Sequence, residues 1–100
     1  MNRLFFALIG ATVLHMPAYA DQALAQQKNC LACHNIERKV VGPSFKDVAK
    51  KYAAQDVNAK LASKIIKGGA GVWGAIPMPA NAQVSEAEAQ KLAAWILSLK

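Results

Sequence analysis

Apolar residues recur along this chain at three- and four-residue intervals, the spacing of helices, and strand-like alternation is scarce. Leu24 and Ala25 mark the inner face of a short helix that Asp21 is placed to cap and that runs to Asn29. Arg38-Lys39 and then Val40-Val41-Gly42-Pro43 break the pattern and form a loop. Phe45, Val48, Ala49 and Tyr52 resume it behind Ser44 and Asp47, a pair spaced as in a capping box. Asp56 is placed to cap a third helix, whose Leu61, Ile65 and Ile66 face inward and which Gly68-Gly69 stops. Ser85-Glu86-Ala87-Glu88 is a cleaner capping box. The helix it opens carries Leu92, Trp95, Ile96 and Leu99 at i, i+3, i+4 and i+7. These stripes read as core rather than functional surface. The pattern predicts an all-α domain of about four short helices.

Two stretches stand outside that pattern. From Gly68 to Val84 the chain is irregular and contains Trp73, Pro77, Met78, Pro79 and Asn81. Structureless segments of that length inside compact domains are usually functional or disordered; this one reads as a functional loop. Residues 1–20 are of another kind. Asn2-Arg3 gives a basic start, Leu4 to Leu14 is apolar, and Ala18-Tyr19-Ala20 is a small-x-small site. That order is a secretory signal peptide, cleaved after Ala20. The apolar run is roughly eleven residues, short of the ~20 that span a bilayer, and Pro17 interrupts any helix that would lengthen it. The expectation is a leader over 1–20 and one domain over 21–100, exported to a bacterial periplasm, with no membrane span in the mature chain.

Charge narrows the partners. The formal net charge is +6, and a basic surface can serve nucleic acid, acidic lipid or an acidic protein. Aromatic residues are not interleaved with arginines, and Arg38 is the single arginine beyond residue 20, which argues against nucleic acid. A domain of about 80 residues buries a modest core and usually needs a staple.

Candidate chemistry is concentrated in Cys30-Leu31-Ala32-Cys33-His34. The spacing C-x-x-C-H is that of a c-type haem attachment site, in which two thiols add to the vinyl groups and the imidazole reaches the iron. On a helical turn the three side chains share one face. Three other readings compete. A zinc site would want a fourth ligand and a second Cys/His cluster; a thioredoxin-like pair would sit in a βαβ pattern; a plain disulfide leaves His34 unexplained. Loss of the leader removes His15 and Met16, so His34 and Met78 remain as the one histidine and one methionine. They are the best candidates for the two axial positions of an electron-carrying haem iron. Pro77 and Pro79 hold Met78 in a stiff, extended backbone, although by itself Met78 could be a gap-filler in a turn. A covalent haem would also supply the staple.

Four segments together carry a family resemblance: the C-L-A-C-H motif, V-V-G-P-S-F-K-D-V-A around Pro43, G-V-W-G-A-I-P-M-P around Met78, and the closing A-W-I-L-S-L-K. On these the chain resembles a class I c-type cytochrome of the small bacterial c-551/c-552 type, and the match covers most of residues 21–100. The resemblance implies about four short helices wrapped around one covalent haem c, with thioethers at Cys30 and Cys33 and axial ligands at His34 and Met78. It implies a hydrogen bond from the far nitrogen of His34 to the Pro43 carbonyl, a Trp73 indole on a haem propionate, and an Asn81 amide at the methionine sulfur. Lys64 stands where relatives carry an arginine near a propionate, a point charge in place of a fork.

The function so implied is a periplasmic one-electron carrier, not an enzyme, acting as a monomer. Its partners would be acidic redox proteins: a respiratory reductase such as nitrite reductase, an oxidase, or an upstream quinol-oxidising complex. Lysines between Lys28 and Lys67 would steer that docking. The rival is a haem peroxidase or gas-binding haem protein, which needs an open iron position and distal acid–base groups. A haem-free thiol–disulfide oxidoreductase is a third possibility.

Overall fold

The computed structural model describes Gly10 and residues 19–100. Most of the segment read as a leader lies outside the described residues. Four helices follow one another: α1 (Tyr19–Gln27), α2 (Phe45–Lys51), α3 (Asn58–Lys67) and α4 (Glu86–Ser98), with a single 3₁₀ turn at Cys30–Ala32 between α1 and α2. Among the described residues there is no strand, only two isolated antiparallel bridges, His34 with Lys39 and Gly69 with Met78.

The last helix organises the rest. Ser85 Oγ accepts from the Glu88 N–H at 3.1 Å while Glu88 Oε1 accepts from the Ser85 N–H at 3.0 Å, so the predicted capping box is complete. Ala89, Leu92, Ala93, Trp95 and Ile96 are buried on its inner face, and α1, α2 and α3 all pack against it. Leu92 alone, 1 % exposed, contributes about 1.5–3 kcal/mol of burial. Leu99 lies just beyond the helix in an extended conformation and still packs on the core from its edge.

Three helix starts differ from the sequence pattern. Asp21 sits in the first turn of α1, which begins at Tyr19, so it favours the positive end of the helix dipole rather than capping it. Asp56 is not the cap of α3. Val57 holds that position, its carbonyl accepting the first helical bond from Leu61 at 2.8 Å with no side-chain cap. The chain enters α3 one residue late because Ala54 takes a left-handed φ of 60° in the preceding turn. At α2 only half of the box forms: Ser44 Oγ accepts from the Asp47 N–H at 3.0 Å. Aspartate is one methylene shorter than the glutamate that returns the bond in α4.

Candidate functional site

The first half of the site is built where α1 stops. Asn29 adopts a left-handed φ of 64° and redirects the chain into the 3₁₀ turn. The Cys33 N–H (3.2 Å) and the His34 N–H (3.0 Å) both donate to the Cys30 carbonyl, so the two thiols and the imidazole hang from one turn. All three are half-buried. Burial pushes the Cys30 thiol up, against a smaller opposing effect from a backbone hydrogen bond. That is the opposite of the shift that activates a nucleophilic cysteine. The zinc reading fares no better, since no group of three or more His, Cys, Asp or Glu side chains among the described residues is arranged to hold a metal ion.

His34 is held on three sides. Its Nδ1 lies 2.8 Å from the Pro43 carbonyl. A carbonyl only accepts, so Nδ1 carries the proton and donates, and Nε2 keeps its lone pair for a metal. Phe45 stacks on the ring at 5.0 Å between centroids and 22° between planes, and meets Trp95 edge-on at 5.5 Å. The ring is thereby braced against the α4 core. Gly42 closes the third side. A Cβ there would run into the imidazole, so the loop must present bare backbone. That loop is tied down by the Val41 and Gly42 N–H groups, both donating to the Cys33 carbonyl at 3.1 and 2.7 Å.

The second half hangs from the end of α3. Gly68 stops the helix at φ 72°, and a Cβ on it would collide with the Met78 carbonyl. Gly69 and Met78 then exchange two backbone bonds, Gly69 N–H to Met78 O at 3.0 Å and Met78 N–H to Gly69 O at 2.7 Å. The Asn81 N–H donates to the Ile66 carbonyl at 3.0 Å. The proline-flanked segment is a strap whose two ends are stitched to one helix terminus, with Met78 half-buried between them.

The remaining candidates fall unevenly. Asn81 does not point its amide at the methionine sulfur. Nδ2 donates to the Ile65 carbonyl at 2.8 Å and to Pro79 at 3.4 Å, because the last turn of α3 offers carbonyls with no helical partner. Lys64 lies along the Gly69 backbone, where an added Cβ would stand 2.5 Å from its Nζ, and it forms no ion pair among the described residues. Trp73 is 44 % exposed, with the Lys51 ammonium 5.4 Å from its ring centroid. Gly42, Phe45 and Gly68 were not singled out by sequence spacing as site residues. The only signals were a glycine before Pro43, an aromatic opening α2, and a glycine pair that also serves as a helix stop.

The Cytochrome c family model matches residues 20–100. The chain belongs to the cytochrome c family. It is 50 % identical over 103 residues to cytochrome c-552 of Nitrosomonas europaea, covering all of both chains. It is 51 % identical over 96 residues to cytochrome c-551 of Pseudomonas aeruginosa, covering 93 % of this chain and 91 % of that one. The crystal structure of wild-type Nitrosomonas europaea cytochrome c552 superposes with a TM-score of 0.76 at 57 % identity, over 79 % of this chain and 99 % of that one. This cytochrome c therefore has the fold of its family, carries one covalently bound haem c, and is a small electron carrier rather than an enzyme. Its residues suit that group. Two thiols on one turn are placed for its covalent attachment, and an imidazole with Nε2 free and a thioether on a braced strap are donors of the kind that would suit its iron.

Proposed function

We propose that this cytochrome is a periplasmic one-electron carrier in which Cys30 and Cys33 hold the haem as thioethers while His34 and Met78 ligate its iron. The observation that carries the reading is the 2.8 Å contact between His34 Nδ1 and the Pro43 carbonyl. It orients the imidazole, fixes its tautomer and makes it a stronger donor. When bound, the haem supplies a reversible Fe(III)/Fe(II) couple whose potential methionine ligation raises. The chain's own work is positional. Phe45 and Gly42 keep His34 in one orientation, and the Gly69 bridge keeps the Met78 strap in one conformation. With His34 and Met78 both on the iron, no position would be left for a substrate, whereas a peroxidase or gas sensor needs an open one.

Trp73 and Lys64 are placed in this reading near the haem propionates, the first as an N–H donor and the second as a point charge. The lysine-rich surface favours transient docking to an acidic reductase, oxidase or quinol-oxidising complex, with the cytochrome acting as a monomer. The basic start, apolar run and Ala18-Tyr19-Ala20 site support an exported chain beginning at Asp21. No helix among the described residues is long and apolar enough to cross a membrane.

An absorption spectrum of the exported holoprotein tests the core of the proposal. A low-spin c-type spectrum is expected, with a methionine–iron band in the oxidised form that disappears in Met78→Ala. A high-spin wild type that shifts on adding carbon monoxide would overturn it in favour of the gas-binding reading. Intact mass tests the leader, which predicts a first residue of Asp21. Electron-transfer rate constants with an acidic partner are expected to fall as salt rises.

A further inference from the structure

The two ligand-bearing segments come from opposite ends of the chain, yet side chains join them directly. Lys28 is two residues ahead of Cys30, and its Nζ donates to the Gln83 carbonyl at 3.1 Å. Gln83 Nε2 returns a bond to the Lys28 carbonyl at 3.2 Å and donates also to Asn81 Oδ1 at 3.2 Å. Asn81 passes the connection on to Pro79, next to Met78, and to Ile65 at the end of α3. Lys28 is anchored in turn by Glu88 at 3.3 Å, in the first turn of α4. Gln83 thus bonds to both the Cys30 arm and the Met78 strap through one side chain.

We propose that Gln83 is a positioning residue that latches the methionine strap to the haem-attachment arm and sets how often the Met78 side opens. This rests on Met78 being an axial ligand. The physical argument is a difference in what each tie restrains. The Gly69 bridge and the Asn81 bonds fasten the strap to α3 alone, so strap and α3 end can swing together away from the Cys30 segment. The Lys28–Gln83 pair opposes that swing, and does so through two bonds to main-chain carbonyls whose positions α1 and the strap already fix. The hydrogen bonds of the Lys28 and Gln83 side chains go to each other's main chain, to Asn81 and to Glu88 rather than to Cys30, Cys33, His34 or Met78, so the latch acts on opening rather than on the resting site.

Gln83→Met tests this, being nearly isosteric but unable to donate. The ferric holoprotein is mixed with excess cyanide, whose binding requires the methionine to leave, and amide exchange at Met78 and Asn81 is followed in parallel. Cyanide association is expected to quicken about threefold to tenfold, the effect of losing one or two hydrogen bonds. The two strap amides should exchange faster by a similar factor, while buried α4 amides and the unfolding midpoint stay put. Lys28→Met removes the Nζ bond to the Gln83 carbonyl and the ion pair with Glu88 but keeps the main-chain carbonyl that Gln83 Nε2 reaches, and should give a smaller increase. Unchanged cyanide and exchange rates in Gln83→Met would overturn the latch. So would an increase shared equally by α4 amides, since that is general destabilisation. A wild-type ferric spectrum lacking the methionine–iron band would overturn the latch together with the ligand assignment, and so distinguishes the two failures.

Discussion

In α4 the apolar side chains Ala89, Leu92, Ala93, Trp95 and Ile96 all turn inward and are buried, whereas in the strap Val72, Trp73 and Ile76 face outward, 48 %, 44 % and 67 % exposed. The helix holds its shape by side-chain burial on a hydrogen-bonded frame. The strap holds its shape with backbone: the Gly69–Met78 pair, the Gly71 N–H on the Gly74 carbonyl at 3.0 Å, and the Asn81 bonds to α3. Burial is forgiving of small shifts, since neighbouring side chains repack. A backbone pair at 2.7 and 3.0 Å between glycine and methionine is not. The division suits a carrier whose core keeps the domain folded while the segment bearing Met78 keeps one geometry.

Leu92→Ala should show the largest effect on the helix side. The side chain is 1 % exposed among the core of α4, and its truncation is expected to cost about 2–5 kcal/mol. Thermal denaturation of the holoprotein checks this. The methionine–iron band should persist until the molecule unfolds as a whole, because the strap's ties do not run through Leu92.

Gly68→Ala should do the reverse. A side chain at φ 72° and ψ −170° lies in a region that essentially only glycine adopts, at a cost of about 1–3 kcal/mol, and its Cβ would also collide with the Met78 carbonyl. The neighbouring atoms are main chain and cannot swing aside. The methionine–iron band should weaken strongly while the helical circular dichroism at low temperature is retained. An intact band would mean that Gly68 does not set the strap's approach to α3.

The same division explains what could be read in the sequence. The stripe Leu92, Trp95, Ile96, the capping box Ser85–Glu88 and the turn Cys30–His34 are local, and periodicity or spacing carries them. Asp56 was misplaced because a cap depends on the turn before it, and the left-handed Ala54 leaves no compositional mark. The packing of His34 on Gly42 and of Gly68 on Met78 depends on contacts between segments distant in the chain. A glycine that makes room for an imidazole looks, in sequence, like any glycine in a loop. Asn81 spends its amide on a carbonyl at the end of α3, a contact that its place in the sequence does not reveal.

The smallest expected effect lies at the hinge between the two regions, where Glu88 caps α4 and also anchors Lys28. The hydrogen bond from the Ser85 N–H holds its carboxyl below the ordinary glutamate value of 4.5, with desolvation opposing the effect and the Lys28 ammonium and the Ser85 side chain adding to it. A carboxyl whose pKa is lower in the folded state stabilises that state above its ordinary value, and the contribution disappears as the pH falls through that value toward the folded one. Glu88→Gln keeps a residue able to return the capping bond but carries no charge to titrate. The wild type should therefore resist urea slightly better than Glu88→Gln near neutrality, and the advantage should shrink below about pH 4.5 and vanish in strong acid. Because both Lys28 and Glu88 remain partly open to solvent, added salt should remove the lysine's share at any pH and leave the share of the Ser85 bond. A difference between the two proteins that survives unchanged into acid would assign Glu88's role to shape alone, and would leave Gln83 as the stronger tie between helix and strap.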